Sequence, residues 1–162
     1  MEQFTGERPA RLQVGRTWEE QPVGFAFRTI RRTLTEADLV NFVSVCGFSE
    51  SLFLDATAAK SEAGYAGRIA PGAMVFSFAE GLVLGSGVIA GTGMAYLGGA
   101  VDVLGPTFVG DTIEVHVTVT ACRPTSKGGR GIVTTRNDVV NQRDEIVLRY
   151  CPSRMIRGAT PG

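Results

Sequence analysis

The stretch Pro71-Gly72-Ala73-Met74-Val75-Phe76-Ser77-Phe78-Ala79-Glu80-Gly81-Leu82-Val83-Leu84 decides the fold class. Proline suits the first turn of a helix, where its missing N–H has no partner to lose. The apolar residues cover nearly every helical face, so the helix is expected to be buried all round. Glu80 is a lone carboxylate in that segment, and a buried carboxylate needs a partner or a raised pKa. The longer apolar run from Met74 to Ala90 is broken by Ser77, Glu80, Gly81 and Ser86, which argues against a membrane span.

Upstream, Phe25, Phe27 and Thr29 alternate with Ala26, Arg28 and Ile30, the period of a short strand. Thr35 is an N-cap with Asp38 at the capping-box position. Leu39, Val43 and Cys46 follow at helical spacing, and Gly47 ends the helix. Residues 47–70 lack strong periodicity; Asp55 to Lys60 read as a short helix, and Gly64 and Gly67 bracket Tyr65. Downstream the pattern turns to strands. Met94 to Val103 is one, and Gly98-Gly99 inside it marks a bulge or a close backbone approach. From Asp111 to Cys122, Ile113, Val115, Val117 and Val119 face one way, with Glu114, His116, Thr118 and Thr120 opposite. Ser126 to Gly129 is a turn, and Gly131–Val140 and Glu145–Ile156 form a hairpin across residues 141–144. The order predicts an α+β domain in which a curved antiparallel sheet wraps one long apolar helix. Residues 1–22 read as a partly ordered N-terminal arm, 23–157 as a single domain and 158–162 as a flexible tail.

Composition removes several function classes. The chain has 162 residues, room for one domain. Lys plus Arg equals Asp plus Glu at 16 each, which argues against a nucleic-acid footprint or a polybasic membrane anchor. The single histidine, His116, nearly closes off zinc–histidine chemistry and any histidine pair, and no metal is expected. The 21 glycines exceed the usual share of about 7%. Cys46, Cys122 and Cys151 are odd in number and form no CxxC, which fits buried thiols in a reducing cytoplasm. The N-terminus lacks the basic and apolar regions of a secretory signal. Gly85-Ser86-Gly87 and Gly91-Thr92-Gly93 follow a helix rather than open one, so nucleotide binding is discounted.

Four segments together carry a family resemblance: Thr35-Glu36-Ala37-Asp38, Gly64-Tyr65-Ala66-Gly67-Arg68-Ile69-Ala70-Pro71-Gly72, the apolar helix, and Gly105-Pro106-Thr107-Phe108-Val109-Gly110-Asp111 before a long strand. Over residues 25–155 the chain resembles the MaoC-like dehydratases, the (R)-specific enoyl-thioester hydratases of the hotdog fold. The resemblance implies an acyl thioester substrate, with CoA or phosphopantetheine as part of it and no separate cofactor. It implies hydration or dehydration at C2–C3, and a homodimer or a heterodimer with another hotdog subunit.

In that family the loop after the first helix reads G-D-x-N-P-x-H, and its Asp and His activate a water. Here the loop is Gly47-Phe48-Ser49-Glu50-Ser51-Leu52-Phe53. Phe48 stands at the Asp position, Glu50 at the Asn position and Phe53 at the His position, and phenylalanine cannot transfer a proton. The family's I-A-H-G is Ile69-Ala70-Pro71-Gly72. Gly72 keeps the place whose N–H polarises the thioester carbonyl, backed by the positive helix end.

Glu80 and Glu50 are the candidates for proton transfer, since two carboxylates in unlike surroundings divide acid and base roles. The competing readings are a Glu80 paired with an arginine or backbone amides, or near solvent at a subunit interface, and a Glu50 exposed on its loop. Phe48 and Phe53 line an acyl pocket or plug it. Tyr65 and Ser77 are pocket candidates or core packing, and Arg68 reaches a carrier phosphate or forms a surface salt bridge. In function, the alternatives to a hydratase are a non-catalytic subunit supplying the substrate-binding wall and a hotdog enzyme with other chemistry.

Overall fold

The computed structural model describes residues 7, 14–61 and 63–159. Strand β4, Thr112–Pro124, buries Ile113, Val115, Val117 and Val119 on one face, as its period-2 pattern requires. Around it build β1 (Ala26–Arg28), β5 (Arg130–Asn141), β6 (Ile146–Arg157) and β3 (Gly93–Val103), in the order β1-β4-β5-β6-β3. All pairings are antiparallel, and β2 (Arg32–Thr33) joins the same edge of β4 beyond β1. This is the expected α+β architecture.

Helix α1, Glu36–Cys46, starts where the capping box puts it. The Asp38 amide donates to Thr35 Oγ1 (3.2 Å) and the Thr35 amide to Asp38 Oδ2 (2.9 Å). Gly47 closes the helix at φ 69°, a left-handed conformation open to glycine. Cys46 is exposed rather than buried, because it lies on the outer side of this last turn. The short helix expected over residues 55–60 is instead two: α2 (Ser51–Leu54) and α3 (Ala58–Ser61). Asp55 separates them, its carboxylate accepting from the Thr57 amide (2.8 Å) and hydroxyl (2.7 Å), a local turn that competes with helix.

The apolar stretch forms α4, Gly72–Gly85, with Pro71 as its N-cap. Met74, Val75, Ala79, Leu82 and Val83 pack into one core with Ile113, Val115, Val117, Val139, Val147, Leu148 and Tyr150. The expectation of burial all round is corrected here. Ala73, Ser77, Gly81 and Leu84 are exposed, because α4 rests on β4 and β6 and makes little contact with β3. A helix backed by two strands has an outer face left over.

Within the N-terminal arm, residues 14–22 run against the domain. The Gly15 amide donates to the Ala90 carbonyl (2.7 Å) and the Trp18 amide to the Arg157 carbonyl (3.1 Å). Trp18 joins a second cluster with Val119, Val133 and Ile156. The rest of the arm before residue 14, apart from Glu7, and residues 160–162 of the tail lie outside the described residues. No helix among the described residues is long and apolar enough to cross a membrane.

Asp111 ties the loop before β4 to the β5–β6 turn. Its buried carboxylate accepts from the Phe108 amide (2.9 Å), Gln142 Nε2 (2.5 Å) and Arg143 Nη1 (3.2 Å). Burial alone would raise its pKa; the bonds from Gln142, Phe108 and Arg143 outweigh this and hold it below the ordinary value. A depressed folded pKa stabilises fully above the unfolded value of about 3.9 and is lost as pH falls through the folded one. Asp111→Asn is expected to cost about 1–3 kcal/mol near neutral pH. The gap to the natural protein should close below about pH 4 in a series of denaturant titrations. A gap independent of pH would remove the charge from this account.

Candidate functional site

Segment 68–70 is drawn beside 107–109. The Ala70 amide donates to the Thr107 carbonyl (2.8 Å), the Val109 amide donates to the Arg68 carbonyl (3.0 Å), and Ile69 bridges Phe108. This places the start of α4 in the wall of a cleft of about 110 Å³. Phe53, Pro71, Gly72, Val75 and Val103 line it, and every lining residue is apolar, glycine or proline except Thr107. Gly72 opens the helix, so its N–H has no intrahelical acceptor and lies at the positive helix end. A Cβ here would meet Val103 Cγ2 at 2.7 Å, which is why this position takes glycine.

Phe48 and Phe53 pack edge to face at 6.0 Å, and Phe42 joins Phe48 at 5.5 Å. Both are half-buried against the main core, and only Phe53 lines the Gly72 cleft. Arg68 binds inward: its guanidinium pairs with the Glu36 carboxylate and donates to the Phe53 carbonyl (2.6 Å), clamping α1 to α2. Tyr65 stands edge-on to Phe108 at 6.2 Å. Ser77 is exposed and donates back to the Ala73 carbonyl (2.8 Å). Glu50 is exposed at the N-cap of α2 without a side-chain cap bond.

Glu80 stands eight residues beyond Gly72, roughly 12 Å along the helix. It lines a separate cleft of about 350 Å³ that shares no lining residue with the Gly72 cleft. Both its oxygens accept from Arg154 Nη2, at 2.8 and 2.6 Å. The structure therefore brings Glu80 to an arginine and leaves Glu50 elsewhere. The two carboxylates do not converge, and neither lines the cleft at Gly72.

Arg154 went unread in the sequence, although a signal was there. In β6, positions 148, 150, 152, 154 and 156 all turn inward, so a charged residue in that phase demands a buried partner. Thr135 meets Arg154 Nη1 at 3.3 Å. Tyr150 lies in the same interior beside Asn137, both fully buried. Burial, and then the charge of Glu80, push the Tyr150 hydroxyl far above its ordinary pKa, with Asn137 and Arg154 opposing. His116 is on the outer face of β4, 2.8 Å from Glu114 Oε1. Among the described residues no group of three or more His, Cys, Asp or Glu could hold a metal ion.

Comparison with known proteins agrees with this architecture. The family model for the FAS1-like dehydratase domain region matches residues 21–150. Protein MaoC of Klebsiella aerogenes is 38% identical over 104 residues, 62% of this chain, and the chain spans only 30% of that protein. A solved Archaeoglobus protein described as a monoamine oxidase regulatory protein superposes with a TM-score of 0.82 at 29% identity, covering 91% of this chain and 98% of its own. The MaoC-like dehydratase of Rhodospirillum rubrum gives 0.80 at 29% identity, over 90% and 99%. The R-hydratase PhaJ1 of Pseudomonas aeruginosa gives 0.66 at 26% identity, over 90% and 88%. A matching family model over most of the chain, and the same fold at these identities, place the chain in the MaoC-like hotdog dehydratase family.

Proposed function

We propose that this domain binds an acyl thioester, carried on CoA or an acyl carrier, as the substrate-binding side of a hydratase or dehydratase acting at C2–C3. One observation carries the reading. The cleft at Gly72 offers a helix-end amide and apolar walls, and none of its lining side chains is ionisable. A thioester carbonyl oxygen accepts from the Gly72 N–H, with the helix dipole behind it, and the acyl group lies against Phe53, Val75 and Val103. Moving a proton at C2 and a hydroxyl at C3 needs titratable groups beside the substrate. A second hotdog subunit supplies them.

The edge strand β3 supports such a partner. It is hydrogen-bonded to β6 on one side, and Met94, Tyr96, Leu97, Val101 and Val103 are each at least 43% exposed. A long, apolar edge left open is a pairing surface. The three free cysteines agree with a cytoplasmic setting.

The purified chain is expected to bind a saturated acyl-CoA by calorimetry yet show no hydration of a 2-enoyl-CoA above background. Adding a hotdog subunit that bears the family's Asp and His should restore turnover. Turnover by the chain alone, lost in Glu80→Gln or Glu50→Gln, would overturn the partner requirement. Absence of acyl-CoA binding would overturn the site.

A further inference from the structure

Thr107 is the one polar side chain that lines the cleft at Gly72. The residue is only 3% exposed. Its backbone is pinned to the start of α4. The Thr107 carbonyl accepts from the Ala70 amide (2.8 Å), two residues before Gly72, and the next residue, Phe108, bridges Ile69. Thr107 and the helix end are therefore held side by side in one wall.

The Thr107 hydroxyl is placed differently from its backbone. A threonine hydroxyl in a packed loop ordinarily bonds a nearby backbone group. Among the described residues no hydrogen bond engages this one, and it is not one of the fully enclosed polar atoms that lack a partner. The little surface it keeps opens on the cleft that Thr107 lines. A buried hydroxyl left without a partner is costly, and a ligand in the cleft removes that cost.

Size decides which part of a ligand reaches it. A cleft of about 110 Å³ holds roughly four water-sized groups at about 30 Å³ each, far too few for CoA or a carrier arm. Gly72 is half-buried and Thr107 buried, so the amide stands nearer the opening and the hydroxyl deeper. The atom that meets Thr107 then belongs to the acyl group, close to its carbonyl. A saturated or 2-unsaturated chain covers the hydroxyl with carbon and returns no hydrogen bond. A carboxylate brings a charge into a cleft whose lining holds no cation. A hydroxyl on C3 is neutral, both donates and accepts, and sits on a carbon two bonds from the carbonyl carbon.

We infer that Thr107 is a specificity-determining residue, its hydroxyl hydrogen-bonded to the C3 hydroxyl of a short 3-hydroxyacyl thioester whose carbonyl rests on the Gly72 amide. The inference rests on the reading of the Gly72 cleft as the thioester site. It makes the domain hold the hydrated form of the acyl group in preference to the unsaturated one.

The test compares 3-hydroxybutyryl-CoA, butyryl-CoA and 2-butenoyl-CoA by calorimetry with the full chain. The hydroxylated thioester is expected to bind about tenfold tighter than the other two. Thr107→Val keeps the side chain's shape and removes the hydroxyl. It should bring all three ligands within about twofold of one another, with butyryl-CoA affinity nearly unchanged. Thr107→Ser should keep most of the preference. Thr107→Ala gives the same readout as valine if the valine variant does not fold. Equal binding of the three by the natural protein, or a preference untouched by Thr107→Val, overturns the inference and leaves the acyl-thioester reading standing. Equal weakening of all three ligands in folded Thr107→Val also overturns it, because the hydroxyl then serves the carbonyl they share. If none of the three binds the natural protein, the acyl-thioester reading falls and takes this inference with it.

Discussion

Arg154→Met is expected to destabilise the protein by about 3–5 kcal/mol, because breaking a buried ion pair strands one charge without its partner. Glu80 would keep its place on α4, only 17% exposed, with neither oxygen engaged by a cation. Thr135 would lose its contact as well. Methionine fills much of the arginine stem's volume, so the loss reads out charge rather than a cavity. For a chain of this length each kcal/mol moves the melting temperature by about 2–4 °C, so the midpoint should fall by roughly 6–20 °C. The double variant Glu80→Leu/Arg154→Met should recover most of that loss, since an apolar pair of similar volume often replaces a buried ion pair at no cost. Thermal unfolding followed by circular dichroism separates the cases. A single variant melting within about 2 °C of the natural protein would show that Glu80 is well solvated.

Gly99→Ala should be nearly as severe, for a steric reason. The β3–β6 register shifts between Tyr96 and Gly98, and Gly98 takes φ 116°. Immediately after, a Cβ on Gly99 would stand 2.4 Å from the Cys151 carbonyl oxygen and 2.8 Å from Pro152 Cα. Those are backbone atoms, so no rotamer change relieves the clash and β3 must lift from β6. A cost of about 3 kcal/mol is expected, at the upper end for an overpacked site. Because β3 is the edge, the damage should be local. Hydrogen exchange should accelerate at β3 amides and the facing β6 amides while β4 and β5 stay protected. Self-association through the edge should be lost with it. Gly105→Ala is the control: nothing lies within 4 Å of its would-be Cβ, and about 0.5 kcal/mol or less is expected. Unchanged β3 exchange in Gly99→Ala would mean that the strand spacing tolerates a methyl group.

Much of the scaffold was legible because it follows from neighbours in the chain. The Thr35 cap, the Gly47 stop, the alternation through β4 and the close approach at Gly98-Gly99 each depend on a few adjacent residues. The four ordered segments that suggested the hotdog fold lead to the same family as the matching family model and the superposed structures. Position along the chain also separated Gly72 from ordinary glycines, since it opens the one long apolar helix. The division of residues 51–61 by Asp55 was not legible, because short polar side chains choose between cap and helix on small local differences.

The candidate site divides the same way. By itself the sequence determined that a glycine heads the buried helix, that Phe48 and Phe53 occupy the loop after α1, and that a lone carboxylate sits at position 80. Whether Glu80 met Glu50, an arginine or solvent lay beyond it. Tertiary structure chose Arg154, 74 positions away, and separated Glu50. It also decided which face of α4 stays open, by resting the helix on β4 and β6 and holding β3 apart. The physical reason is register. Pleat period and helix period say which side chains share a face, but which faces meet depends on how strands align across loops. A shift of one residue would turn Arg154 outward and leave Glu80 unpaired.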